Sequence, residues 1–213
     1  MRGVLQVLGI GPRVADADGK DFDPSLVNCQ ENVPHLIERL TQPTATRNWS
    51  LYLYGLSVTG KSQFARYLAD RLGMEVMHQR ASDLLSMYVG ESEKQIAAAF
   101  ATARTQRLML VIDEADSLLS DRRHAMRSWE VTQVNEMLTW MESHPLPFVC
   151  TTNLVDQLDP ASLRRFTFKL RFDPLSRAQA MCAFEHFFGI QSPSLLPDGL
   201  ILLDGAKHQY CRI

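Results

Sequence analysis

The stretch Gly55-Leu56-Ser57-Val58-Thr59-Gly60-Lys61-Ser62 fits the pattern G-x-x-x-x-G-K-[ST] of a phosphate-binding loop, or P-loop. It follows the apolar run Trp49 to Tyr54, which predicts a strand, and apolar residues at helical spacing lie between Lys61 and Leu72. A strand, a loop and a helix in this order gather backbone N–H groups and a lysine where phosphate oxygens bind. The stretch therefore predicts an α/β fold with a nucleotide site.

A second motif supplies the acidic half of the same chemistry. The apolar run Leu108 to Ile112 predicts a strand buried on both faces, and Asp113-Glu114 follows it directly. Nucleoside triphosphate chemistry needs Mg²⁺, which a P-loop hydroxyl such as that of Ser62 holds together with a carboxylate at a strand end. The acidic pair is also consistent with a helix N-cap, because Ala115-Asp116-Ser117 comes next.

Strand and helix patterns alternate along the remaining chain, which predicts a parallel sheet with helices on both faces. Ser92 and Gln95 fit a capping box that opens one helix, and Ser176 and Gln179 fit another. We predict an N-terminal arm and linker over residues 1–47, an α/β core over 48–173, and a C-terminal segment with one helix over 174–213. The further strands are expected near 75–78, 148–153 and 166–172, and the helices near 33–40, 61–72, 92–104, 129–142 and 176–188.

The composition is that of an ordinary globular protein, with 46% hydrophobic and 22% charged residues. The net charge of -2 provides no basic footprint, so no nucleic-acid partner is expected. No apolar run approaches the roughly 18 residues of a membrane span, and no membrane segment is predicted. The four cysteines are dispersed without metal-type spacing, and we expect a cytoplasmic location.

Three further segments, in order with the two motifs, resemble the AAA family of ATPases within the AAA+ class. Ser82–Glu93 resembles the family's first pore loop and the helix after it, Cys150–Asn153 resembles sensor 1, and Leu158–Phe166 resembles the end of the second region of homology. The resemblance covers about residues 49–188. It implies that residues 48–173 form the AAA ATPase core, a P-loop NTPase, and that residues 174–213 form a short, incomplete C-terminal helical lid. Within it, Arg164-Arg165-Phe166 is similar to the spastin-like and katanin-like branch.

The resemblance implies an enzyme that binds ATP with Mg²⁺ and hydrolyses it. Residues Gly55–Ser62 would cradle the phosphates, with Lys61 on the β- and γ-phosphates. Ser62 and Asp113 would hold Mg²⁺, while Glu114 polarises the attacking water and Asn153 helps to position it. Read without the resemblance, an asparagine at this place is a turn residue.

The resemblance also implies a homo-oligomeric ring, hexameric in the family, that remodels or threads a protein substrate. Arg164 and Arg165 would be arginine fingers that reach the nucleotide of the neighbouring subunit, although an Arg-Arg pair at a helix end is also an ordinary solvated surface pair. Tyr88-Val89-Gly90 would form a pore loop that grips extended polypeptide. The plainer alternative is an aromatic residue packed within a β–α loop.

Two departures from the family pattern keep other functions open. Val58 stands where the family usually has glycine, and a β-branched residue with positive φ costs of order 1–3 kcal/mol if the loop requires that conformation. The predicted lid is short, and no nucleotide-sensing arginine can be assigned in it. The first alternative is therefore a nucleotide-binding, hydrolysis-deficient scaffold protein. The second is a DNA-directed AAA+ motor, against which the missing basic patch argues.

Overall fold

The computed structural model describes residues 13–14, 22–88, 90–119, 128–154 and 160–188. Within these residues, the strands are β1 Arg13–Val14, β2 Asn28–Cys29, β3 Ser50–Gly55, β4 Val76–Arg80, β5 Met109–Asp113, β6 Phe148–Thr152 and β7 Phe168–Asp173. The helices are α1 Val33–Thr41, α2 Lys61–Arg71, α3 Ala81–Leu84, α4 Glu91–Gln106, α5 Ser128–Ser143, α6 Pro160–Leu163 and α7 Arg177–Phe188. Short 3₁₀ turns cover Pro24–Leu26 and Ala115–Ser117.

The strands form one sheet in the order β1-β4-β5-β6-β3-β7-β2. The five central strands are parallel, and the two-residue strands β1 and β2 pair antiparallel at the edges. Strand β3, which leads into the P-loop, therefore lies between β6 and β7 in the interior of the sheet. Because parallel strands end at the same edge, the residues after β3, β5 and β6 meet there, where open α/β sheets bind ligands.

Each face of the sheet is covered by its own hydrophobic core. Leu51 and Leu53 on β3 face the core that includes α1 and α2, whereas Tyr52 faces the core that includes α4 and α5. Strand β5 alternates in the same way, with Val111 in one core and Ile112 in the other. The predicted parallel sheet with helices on both faces is confirmed.

The segment before residue 48 contributes to the same sheet and core. Strand β1 pairs with β4, strand β2 pairs with β7, and helix α1 buries Val33, Ile37 and Leu40. The division at residues 47 and 173 stays a prediction. Helix α7 forms the described part of the predicted lid, and residues 189–213 lie outside the described residues. No described helix combines the length and apolar character that crossing a bilayer demands.

One of the two predicted capping boxes is wrong and the other is confirmed. Helix α4 begins at Glu91 with Gly90 as its N-cap, so Ser92 lies inside the first turn, where it is fully buried. Its Oγ accepts a hydrogen bond from the Ser86 backbone N–H at 2.8 Å, which ties the preceding loop to the helix. In the other box, Ser176 Oγ accepts from the Gln179 N–H at 3.3 Å, and Gln179 Oε1 accepts from the Ser176 N–H at 3.0 Å.

Candidate functional site

The P-loop starts where strand β3 passes very close to strand β7. Gly55, the last residue of β3, has φ of 139°, a conformation that L side chains rarely adopt. A Cβ at this position would lie 2.0 Å from the carbonyl oxygen of Phe172 on β7. Only glycine permits this approach, and the approach in turn fixes the direction in which the loop leaves the sheet.

The lysine of the motif is held inside the loop. Lys61 is the first residue of α2 and only 6% exposed. Its Nζ donates to the carbonyl oxygens of Gly55 at 2.9 Å and Leu56 at 2.6 Å. The N-terminus of α2 has no side-chain cap, so the positive end of the helix dipole and the ammonium group act at the same place. This arrangement favours an anion such as a phosphate.

Val58 adopts the strained conformation that the sequence led us to expect. Its φ is 67°, in the left-handed region, and its side chain is 46% exposed. The other non-glycine residues with positive φ in the described part of the chain are Arg107 and Glu114, neither of which is β-branched. A β-branched residue held here costs about 1–3 kcal/mol, so this loop stores strain beside the phosphate site.

The carboxylate of Asp113 lies at the centre of a small hydrogen-bond network. Ser62 Oγ donates to its Oδ1 across 3.2 Å, and Thr151 Oγ1 donates to the same oxygen across 2.6 Å. Its Oδ2 contacts Nε2 of His78 on strand β4. Burial by itself would raise the pKa of Asp113, but the contacts with His78, Thr151 and Ser62 outweigh it and hold this pKa below its usual range.

Ser62 and Asp113 fit the requirements of a magnesium ion. Mg²⁺ prefers oxygen ligands and keeps several waters, so it is bound through one or two carboxylates and substrate phosphates. Ser62 Oγ lies 3.2 and 3.4 Å from the two carboxylate oxygens of Asp113, next to the lysine that would face the phosphates. Among the described residues no group of three or more His, Cys, Asp or Glu side chains forms a metal cage. The donor set is therefore suited to Mg²⁺ bound together with a nucleotide.

The two residues predicted to handle water lie at the same edge of the sheet. Glu114 directly follows β5, has φ of 57° and is exposed, and its side chain makes no capping hydrogen bond. Asn153 is exposed in the bend after β6, the neighbour of β5. Its predecessor Thr152 donates from Oγ1 to Asp116 Oδ1 at 2.9 Å, so Asp116 has a structural partner. Glu114 and Asn153 thus lie at the carboxyl edge of the sheet, the edge that also carries the P-loop.

Arg164 and Arg165 lie away from this site. Both are exposed, and the Arg165 guanidinium forms an ion pair with Glu142 near the end of α5. The Arg165 carbonyl accepts a hydrogen bond of 3.4 Å from Ser50 Oγ, at the start of β3. A polar cavity of about 150 Å³ lies beside the arginine, lined in part by Trp49 and His144. The arginine pair is therefore at the edge of the sheet opposite to the P-loop.

The predicted pore loop leaves its aromatic residue in solvent. Tyr88 is 71% exposed and its neighbour Met87 is 97% exposed, so both residues face solvent. Gly90, with φ of 83°, leads into α4, and Val89 lies outside the described residues. The base of the loop is held by Ser86, whose Oγ donates to Glu91 Oε2 at 2.8 Å.

Three residues of these networks were not singled out from the sequence. His78 and Thr151 contact Asp113, and Glu142 pairs with Arg165. Thr151 lies within the segment that resembles sensor 1, but no role was predicted for it. No sequence signal marked His78 or Glu142, because their contacts depend on which strands and helices become neighbours.

The comparisons with known proteins identify the family. The family model described as "ATPase family associated with various cellular activities (AAA)" matches residues 51–174, which is more than half of the chain. This chain belongs to the AAA family, as the resemblance predicted.

Individual relatives agree with this assignment. Spastin of Drosophila melanogaster is 34% identical over 142 residues, which cover 63% of this chain and 18% of spastin. An uncharacterized protein of Acidianus two-tailed virus, ORF529, is 34% identical over 142 residues, which cover 60% of this chain and 27% of that protein. The chain therefore spans only a minor part of the length of these relatives.

A solved structure shares the fold. The crystal structure of the FIGL-1 AAA domain in complex with ADP superposes with a TM-score of 0.59 at 23% sequence identity. The match covers 76% of this chain and 59% of that chain. At this identity the likeness concerns the fold alone.

Proposed function

We propose that this chain is an Mg²⁺-dependent ATPase that works as a ring oligomer, hexameric as the resemblance implies, and remodels or threads protein substrates. The observation that carries the proposal is the convergence of Lys61, Ser62 and Asp113 at the carboxyl edge of the sheet. A buried ammonium beside an uncapped helix N-terminus suits the phosphates, and the hydroxyl–carboxylate pair suits Mg²⁺.

The residues at this edge have the chemistry for in-line hydrolysis. Water attacks the γ-phosphorus, the bond from phosphorus to the β–γ bridging oxygen breaks, and ADP leaves with that oxygen. Glu114 polarises the water and receives its proton, and Asn153 orients it. Lys61 stabilises charge on the phosphate oxygens, where bound Mg²⁺ supplies further neutralisation. Catalysis then rests on positioning and electrostatics rather than on a covalent intermediate.

The position of the arginine pair supports a role across a subunit interface. Strand β3 has six residues, so its start at Ser50 and its end at Gly55 are about 16 Å apart at about 3.3 Å per residue. Arg165 contacts the start of β3, whereas the phosphates would bind at its end. A finger at this edge serves the nucleotide of a neighbouring copy, where such a group contributes about 10³–10⁵ in rate.

The exposed loop before α4 supports a protein substrate. Tyr88 presents an aromatic ring to solvent, and Ser86 and Ser92 anchor the base of the loop to α4. In a ring, six such side chains would line a central channel and grip an extended polypeptide. Spastin is a relative by sequence, but the substrate class here rests on this loop. The free thiols of Cys29, Cys150 and Cys182 are in keeping with a cytoplasmic location.

The test is ATP turnover over a series of protein concentrations, for the native chain, Glu114→Gln and Arg165→Ala. We expect specific activity to rise with concentration and to vanish in both variants, while each variant still binds ATP. Turnover that is independent of concentration and insensitive to Arg165→Ala would contradict the assembled ring. The absence of turnover at every concentration, with ATP still bound, would contradict the ATPase.

The strain at Val58 favours a second candidate function, a nucleotide-binding scaffold that does not hydrolyse ATP. The positive φ of a β-branched residue makes the phosphate-binding conformation costly. A scaffold would assemble on binding ATP and remain assembled. Release of labelled phosphate in a single turnover separates the two functions, because an ATPase releases phosphate and a scaffold does not.

A further inference from the structure

His78 lies outside every motif discussed above, yet its imidazole contacts the carboxylate of Asp113. Strands β4 and β5 are parallel neighbours, with His78 opposite Val111 and Arg80 opposite Asp113. The His78 and Asp113 side chains are 19% and 18% exposed, and the contact joins Nε2 to Oδ2. The contact is therefore largely shielded from water and from competing surface partners.

The direction of the hydrogen bond follows from the donors that already surround the carboxyl group. The hydroxyls of Ser62 and Thr151 both donate to Asp113, which therefore acts as the acceptor in this network. An ionised carboxylate only accepts hydrogen bonds. Nε2 of His78 therefore carries a hydrogen and donates it to Oδ2, whereas Thr151 donates to Oδ1.

Donors on both oxygens fix the rotation of the Asp113 carboxyl group. Thr151 on β6 and His78 on β4 hold it from the two strands that flank β5. Ser62 Oγ lies 3.2 and 3.4 Å from the two oxygens, so its O–H donates into a carboxylate of defined orientation. The lone pairs of the Ser62 oxygen are then turned away from the carboxylate. Partners of this kind commonly orient the ligands of a metal ion.

We propose that His78 is a positioning residue for the magnesium–nucleotide site: its Nε2–H bond to Asp113 Oδ2 orients the carboxylate and, through it, the Ser62 hydroxyl. The proposal rests on the proposed function, since it concerns the same Mg²⁺ site. It adds a residue from β4 to a site whose sequence motifs lie on the P-loop and β5. His78 does not touch the nucleotide in this scheme and acts through Asp113.

Two amide variants separate this role from simple packing. The amide nitrogen of His78→Gln reaches about as far from the backbone as imidazole Nε2, whereas that of His78→Asn is about one bond short. The measurement is binding of a methylanthraniloyl-labelled ADP to the full chain, titrated with Mg²⁺ and repeated in EDTA, with thermal midpoints for each variant. We expect His78→Asn to need roughly 10–100 times more Mg²⁺ for half-maximal binding. His78→Gln should stay within about threefold of the native chain.

A structural role would lower the thermal midpoint and the binding in EDTA of both variants together, and this outcome overturns the proposal. Equal Mg²⁺ dependence in the native chain and His78→Asn also overturns it, as does a defect of the same size in His78→Gln. If the native chain binds the labelled ADP without any response to Mg²⁺, the magnesium site itself is wrong. That result would contradict the proposed function, and it can be distinguished from a failure that is confined to His78.

Discussion

Arg165 is joined to Ser50 at the start of strand β3, because the Ser50 hydroxyl donates to the Arg165 carbonyl at 3.4 Å. The guanidinium also pairs with Glu142, which shortly precedes strand β6. Both contacts lie at the edge of the sheet where the central strands begin, whereas the P-loop follows their ends. The geometry separates the proposed finger from the phosphate site of its own chain.

Mixing two inactive variants should restore activity if this separation means that the finger acts on a neighbour. Arg165→Ala retains its own Glu114 but lacks a finger, and Glu114→Gln still supplies a finger. We expect each variant to be inactive alone and the mixture to recover a measurable part of native turnover, measured as phosphate release. Arg165→Lys serves as the matched control, because it keeps the charge but loses the planar fork.

Loss of either partner of the Arg165–Glu142 ion pair should be nearly neutral in stability. An exposed ion pair such as Arg165–Glu142 contributes about 0–1 kcal/mol, so Arg165→Ala and Glu142→Gln should shift the free energy of unfolding by less than about 1 kcal/mol. Urea titrations measure this shift. A much larger loss would mean that Arg165 supports the fold, and its effect on turnover would then need no finger.

Val58→Gly should stabilise the fold. Glycine adopts positive φ without the roughly 1–3 kcal/mol of strain that valine carries at φ of 67°, while its greater freedom in the unfolded chain offsets about 0.5–1 kcal/mol. We expect the free energy of unfolding, measured by urea titration, to rise by up to about 2 kcal/mol, with Val58→Ala in between. A lower free energy of unfolding in Val58→Gly would contradict strain at this position.

Gly55→Ala should disrupt the fold, and Gly73→Ala is its control. At Gly55 the new Cβ would meet the Phe172 carbonyl oxygen at 2.0 Å, whereas at Gly73, which has φ of 65°, it would meet no atom of the described residues within 4 Å apart from those of its chain neighbours. We expect losses of about 4 kcal/mol or more for Gly55→Ala and about 1 kcal/mol for Gly73→Ala in urea unfolding. Similar losses for the two variants would contradict the close approach of β3 and β7.

Stability should fall as the pH is lowered from about 6.5 towards 4 because of His144. Burial, and then the charge of Arg104, lower the pKa of His144 from 6.5 to about 4. The centroid of its ring lies 5.1 Å from that of Phe100, and its Nε2 has no hydrogen-bond partner among the described residues. The unfolded chain binds this proton near pH 6.5 and the folded chain only near pH 4. The free energy of unfolding should therefore drop by on the order of 2 kcal/mol across this window.

His144→Leu isolates this contribution. The variant has no imidazole to protonate, so its urea midpoint should change less between pH 7 and pH 5 than that of the native chain. Equal slopes in the two proteins would show that other groups cause the pH dependence.

Much of the fold was predictable because it depends on local patterns. Strands β3, β5 and β6 were predicted within one residue at each end, since buried apolar runs and the motif after them mark a parallel strand. The start of α4 was wrong because Gly90 with φ of 83° caps the helix, which leaves Ser92 free to bind the loop before it. A capping-box pattern cannot distinguish these two uses of a serine.

The amino-acid sequence was sufficient to predict the order of strands and helices, the P-loop, the acidic pair after β5 and the strain at Val58. Each of these features depends on a short segment of sequence, through its periodicity, a motif or the φ that a residue tolerates. Three relations became visible only in the folded chain: β6 separates β3 from β5, His78 and Thr151 meet at Asp113, and Arg165 lies far from the P-loop. These relations depend on pairing between strands distant in sequence, and no local pattern specifies which strands become neighbours.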